Sequence, residues 1–154
     1  MKELEHLIEA YQSDSSCIWA SRARKIVLDG VDGVLSYSYW PICNNGIEPS
    51  HLILPTTGGG TLYPPNSLDR EVKNKDVFMK ICPYADDIWF KAMALKKGTL
   101  CKKVHTSNPV GNDYLENPHV QNVALFNFNL GRKMNDKQFN NVFQKYNLIN
   151  KLSS

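Results

Sequence analysis

Ala85-Asp86-Asp87-Ile88-Trp89-Phe90-Lys91-Ala92-Met93-Ala94-Leu95-Lys96-Lys97-Gly98 is the stretch on which the fold turns. Ile88, Trp89, Ala92, Met93 and Leu95 recur at helical spacing, so residues 87–97 read as a helix with an apolar face. Asp86 or Asp87 stands where an N-cap belongs, and Gly98 stands where a helix stops. One Asp satisfies a cap, so the second is left over. A carboxylate at a helix N-terminus accepts backbone N–H bonds, which favours its ionised form. An ionised carboxylate within reach of a hydroxyl can remove its proton. The pair therefore carries two readings, a doubled helix cap or a general base.

Upstream lies Gly58-Gly59-Gly60-Thr61-Leu62-Tyr63-Pro64-Pro65. Three glycines permit a tight turn and also leave no side chain to block a ligand. No Gly-Lys-Ser/Thr follows, so this is not a nucleotide-phosphate loop of the Walker type. The GxGxxG spacing of a dinucleotide fold is also missing. Tyr63-Pro64-Pro65 adds a rigid aromatic shelf. Further back, Arg22, Arg24 and Lys25 are placed to meet a diphosphate or to lie on an exposed strand face. His105 ends a strand after the Asp-Asp helix and has the chemistry for a metal or a phosphate.

The remaining pattern predicts a helix over residues 2–12 and strand character in Cys17-Ile18-Trp19-Ala20, 22–28, Val34–Trp40, Leu52–Leu54 and Thr99–His105. A short helix is expected at Asp76–Ile81 and a terminal helix at 135–150, the latter capped by Asn135 or Asp136, with Phe139, Val142, Phe143 and Tyr146 on one face. Asn66–Asn74 reads as a connector or short helix, and Ser107–Pro118 as a polar loop. Mixed strands and helices point to an α/β or α+β class, a small mixed sheet flanked by helices.

The chain has 154 residues, enough for one domain with one core, and residues 1–154 are read as a single domain. Its net charge of +3 is too small to imply nucleic acid, and the lysines are scattered rather than gathered in a stripe. No apolar run is long enough for a membrane helix, and the charged start Met1-Lys2-Glu3-Leu4-Glu5-His6 lacks a signal-peptide core. A cytoplasmic protein is expected. Cys17, Cys43, Cys82 and Cys101 form no CxxC pair, so free, mostly buried thiols are expected.

Together, three stretches resemble the C-terminal half of GT-A-type, family-2-like bacterial glycosyltransferases of polysaccharide and capsule loci. They are Trp19-Ala20-Ser21-Arg22-Ala23-Arg24, Gly58 to Pro65, and Phe78 to Leu95. The last is the most specific, and the likeness covers roughly residues 1–105. It implies a partial GT-A-like fold that shapes an acceptor site and supplies the catalytic base of an inverting transfer. The resemblance puts that base in Asp86 or Asp87. It puts Gly58, Gly59, Gly60, Tyr63, Trp89, Arg22 and Arg24 on the substrate.

In that family a nucleotide-sugar-binding half comes first and ends in a D-x-D motif that holds Mg or Mn on the diphosphate. Neither occurs in this sequence. The resemblance therefore implies a truncated or split enzyme. It is expected to be inactive alone, to bind no cofactor alone, and to meet a nucleotide-sugar only with a partner chain. A binding or assembly module with a degenerate fold is the alternative. Either reading leaves an apolar face that a homodimer would cover.

Overall fold

The computed structural model describes residues 2–31, 33–106 and 133–153. Within them the chain is mixed α/β, with helices α1 (Lys2–Ser13), α2 (Lys75–Ile81), α3 (Asp86–Lys97) and α4 (Met134–Lys145). Five short strands accompany them: β1 (Ile18–Ala20), β2 (Ala23–Lys25), β3 (Ile53–Pro55), β4 (Thr61–Leu62) and β5 (Cys101–Lys103). One sheet runs β4-β1-β5, and β2 pairs with β3 in another. β1 is antiparallel to β4, with Trp19 opposite Leu62, and parallel to β5, with Ile18 opposite Cys101. Every residue of β1 is buried, which is why its sequence is continuously apolar rather than alternating.

α3 is the central pillar. Ile88, Trp89, Lys91, Ala92, Met93, Ala94 and Leu95 are all buried, so the helix is enclosed on nearly every side. It stops at Gly98, whose φ of +86° is left-handed and whose N–H reaches back to the Ala94 and Leu95 carbonyls. α4 packs against it through Phe139, Val142 and Phe143, with Phe139 and Phe143 stacked at 3.7 Å. On the far side of the three-stranded sheet, Leu7 of α1 closes a smaller cluster with Trp19 and Val104. All four cysteines are free and buried. Among the described residues, no helix is long and apolar enough to cross a membrane.

Several sequence expectations change. Residues 34–40 are not a strand. Val34 makes one bridge to Leu28, and Tyr37–Tyr39 then turns as a 3-10 helix. The cause is Asp136, whose carboxylate accepts from the Tyr37 N–H at 2.6 Å and the Ser36 hydroxyl at 2.7 Å. That grip turns Tyr37 and Trp40 together into the core, with ring centroids 5.1 Å apart. Asp136 therefore does not cap α4, which starts from a left-handed Lys133 (φ +50°) and has no side-chain cap.

The strand expected at 22–28 shrinks to Ala23–Lys25, and that at 99–105 to Cys101–Lys103. α4 ends at Lys145, short of residue 150. The polar loop expected at Ser107–Pro118 lies outside the described residues.

Candidate active site

α3 follows a turn at residues 83–84. Its N-cap is Ala85, not either Asp, and no side chain caps it. Each carboxylate instead accepts from the amide that follows: Asp86 from the Asp87 N–H at 3.0 Å, Asp87 from the Ile88 N–H at 2.8 Å. Asp86 is exposed and Asp87 half-buried. Burial outweighs the helix terminus here. It pushes the Asp87 carboxyl up to about 6, helped by the Asp86 charge and opposed by the Ile88 amide. The expected low, fully ionised carboxylate is thus corrected to one that titrates near neutrality, where a general base works best.

Two tyrosine hydroxyls feel that carboxylate. Burial, then the Asp87 charge, raises Tyr37 above its ordinary value. Arg24 and Arg22 pull the same hydroxyl down, and the Arg24 guanidinium carbon sits 5.2 Å from the ring centroid. Tyr63 is pushed up by burial, then by Cys101, Asp87 and Asp86. Its ring leans on Phe90 at 5.4 Å. Asp87, Tyr37, Arg22 and Arg24 therefore share one electrostatic neighbourhood, and Tyr63 touches the same field. Arg24 spends one N–H on the Trp40 carbonyl at 2.6 Å. The Arg22 Nε is buried with no partner, a donor for which the described chain offers no acceptor.

The glycine turn holds Arg22 in place. Thr57–Gly59 is a 3-10 turn and Gly60 has φ +88°. A Cβ on Gly59 would stand 2.6 Å from the Arg22 Cβ. The Thr56 N–H and hydroxyl both donate to the Arg22 carbonyl, at 3.0 and 3.1 Å. Gly58 meets nothing within 4 Å, so only two of the three glycines are required by contact or conformation. We expect Gly59→Ala to destabilise the fold by about 1–3 kcal/mol through overpacking. A thermal melt checks this, and a shifted Arg22 Nε–H resonance would report the displaced guanidinium.

Trp89 departs from the substrate role expected of it. It is 2% exposed, its indole N–H donates to the Val72 carbonyl at 3.1 Å, and Phe78 and Tyr146 flank the ring. It is a core residue. His105 is exposed just beyond β5. Among the described residues, no group of three or more His, Cys, Asp or Glu could hold a metal ion.

Lys91 and Tyr37 went unnoticed in the sequence. Lys91 lies one turn beyond Asp87, fully enclosed, with Nζ donating to the Cys101 sulfur at 3.7 Å. Burial holds its pKa below the ordinary lysine value. Its position in the run Ile88-Lys91-Leu95, an apolar stripe at helical spacing, was the signal for burial. A folded pKa below the unfolded one means the native state releases a proton. Stability therefore rises with pH from the depressed folded value to about 10.4, where the unfolded lysine titrates. We expect Lys91→Met to abolish that rise, read from denaturant melts at several pH values.

The fold and site define a mixed α/β protein with an acidic helix start and an arginine set over a buried tyrosine. No known protein family matches the chain, and neither a curated protein nor a solved structure matches it.

Proposed function

We propose that this chain is the acceptor-binding and catalytic-base portion of an inverting sugar transferase for polysaccharide biosynthesis. In this reading the small sheet and its helices are a partial GT-A-like unit acting in the cytoplasm. The observation that carries it is Asp87: a half-buried carboxyl at the start of α3, raised to about 6 and therefore ionised but basic at neutral pH. In the proposed step its carboxylate takes the proton of an acceptor hydroxyl as the oxygen attacks the anomeric carbon of the donor. Arg22, with an unpartnered buried N–H, and Arg24 fit the anionic leaving group. Tyr63 would line the acceptor, while Tyr37 stays in the core beneath. Donor binding and the metal are supplied separately, so the chain alone is inactive.

The test mixes the chain with a donor-binding polypeptide carrying a D-x-D motif and a nucleotide-sugar, and follows release of the nucleotide. Transfer that needs both chains supports the reading. Equal turnover in wild type, Asp86→Asn and Asp87→Asn removes it. A second reading, a binding module that kept the fold without the chemistry, draws on Leu4 and Ile8. These are 62% and 41% exposed, one turn apart on α1, and a second copy of the chain would cover them. Light scattering that shows a monomer at all concentrations counts against that reading.

A further inference from the structure

We propose that a groove beside Tyr63 is an oxyanion site, so that the saccharide acceptor carries an anionic substituent, a phosphate or a carboxylate. This rests on the sugar-transferase reading and adds the class of acceptor.

The groove has a volume of about 410 Å³ and opens between Tyr63 and the end of α3. Its cations come from two separate elements: Arg70 and Lys73 from a 3-10 turn, Lys97 from the last turn of α3. All three are exposed, and among the described residues none of them is ion-paired. Asp69, the carboxylate in the same wall, is already engaged. It accepts from the Glu71 N–H at 2.9 Å and from Lys96 at 3.0 Å. The lining residues thus carry three positive charges against the single carboxylate of Asp69, which Lys96 also neutralises, so the groove is net positive.

Ser67, in the same wall, is 6% exposed, and its hydroxyl is buried with no partner. A serine hydroxyl offers one donor and two acceptor sites, and such groups rarely stay unmatched in a finished fold. The hydroxyl lies beneath the groove surface, so the cations are what an ion in the groove would meet. An arginine fork and two lysine point charges suit phosphate or carboxylate oxygens.

Tyr63 ties the groove to the base. It lines the groove, and its ring leans on Phe90, one turn along α3 from Asp86 and Asp87. Lys97 lies roughly 15 Å along α3 from Asp87, at 1.5 Å per residue. An acceptor whose reacting hydroxyl sits at Asp87 and whose body crosses Tyr63 therefore delivers its charged group to the three cations.

The test titrates the full chain calorimetrically at low salt with glucose 6-phosphate, glucuronate and glucose. The variants are Arg70→Gln with Lys73→Gln together, Lys97→Gln, and Lys137→Gln on α4 as an exposed control. The expected result is saturable binding of at least one anionic sugar, tenfold or more tighter than glucose. That binding drops tenfold or more in the double variant, stays unchanged in Lys137→Gln, and weakens with added salt. The tighter of the two anionic probes identifies the substituent. Equal binding of all three sugars overturns the proposal, and so does anion binding that survives the double variant. Asp87→Asn separates this site from the catalytic reading. Anion binding that persists in that variant supports the groove even when no transfer is seen. An active enzyme that uses neutral and anionic acceptors equally overturns the groove alone.

Discussion

Asp87→Asn is expected to reduce reconstituted sugar transfer by about 10²- to 10⁴-fold in kcat, the range a positioned general base contributes. The residual pH profile discriminates further. Wild-type kcat/KM should rise with pH through about 6 and level off above it, because the base must be ionised to accept a proton. Asp86→Asn should act differently. The Asp86 charge is one of the causes that raise Asp87, so its removal shifts the rising limb to lower pH with only a modest loss of rate. A flat profile across that range, or equal losses in both variants, would remove Asp87 from the base position.

The same substitution should stabilise the fold. Asp87 has a native pKa near 6 against about 3.9 for an unfolded aspartate, so the native state holds the extra proton between those values. Stability falls as pH rises through that window and stays reduced above it. Asn removes the penalty, a gain of up to about 3 kcal/mol at pH 7 to 8, readable in denaturant melts at pH 4 and pH 8. Loss of rate joined to gain of stability is the pattern of a residue kept for chemistry. A helix cap predicts the opposite sign, because replacing it destabilises the helix.

α3 was legible because its period, its acidic start and its terminal glycine agree with one another, and local signals that agree are the readable ones. The Arg22–Gly59 contact was not legible, because nothing in Gly58-Gly59-Gly60 says which glycine meets which neighbour. Residues 34–40 misled for a different reason. Their alternation is real, but a carboxylate one hundred residues away in the chain, Asp136, captures Ser36 and Tyr37 and turns the backbone into a 3-10 helix. Tertiary contact overrides strand pattern there. The Asp pair was found by counting caps. Its protonation behaviour is not legible there, because the burial that raises the Asp87 carboxyl is set by tertiary packing around the start of α3. No local spacing encodes that burial.

Trp89→Ala is expected to cost about 3–5 kcal/mol of folding stability, the range for removing a large aromatic from a core. The ring is 2% exposed and wedged between Phe78 at 5.7 Å and Tyr146 at 6.2 Å. Truncation opens a cavity bounded by α2, α3 and the segment after α4. It also strips the Val72 carbonyl of the indole N–H. Domains of this size hold about 5–15 kcal/mol in total, so the variant should be marginal and melt roughly 6–20 °C lower. Trp89→Phe keeps most of the ring volume and loses only the N–H, so a substantially smaller loss is expected. A tryptophan lining a sugar site would behave in the reverse manner. Its truncation would leave the melt within about 0.5 kcal/mol of wild type, as for exposed positions generally, and would weaken acceptor binding instead. An unchanged melt for Trp89→Ala would therefore overturn the placement of this ring in the core and return it to the substrate.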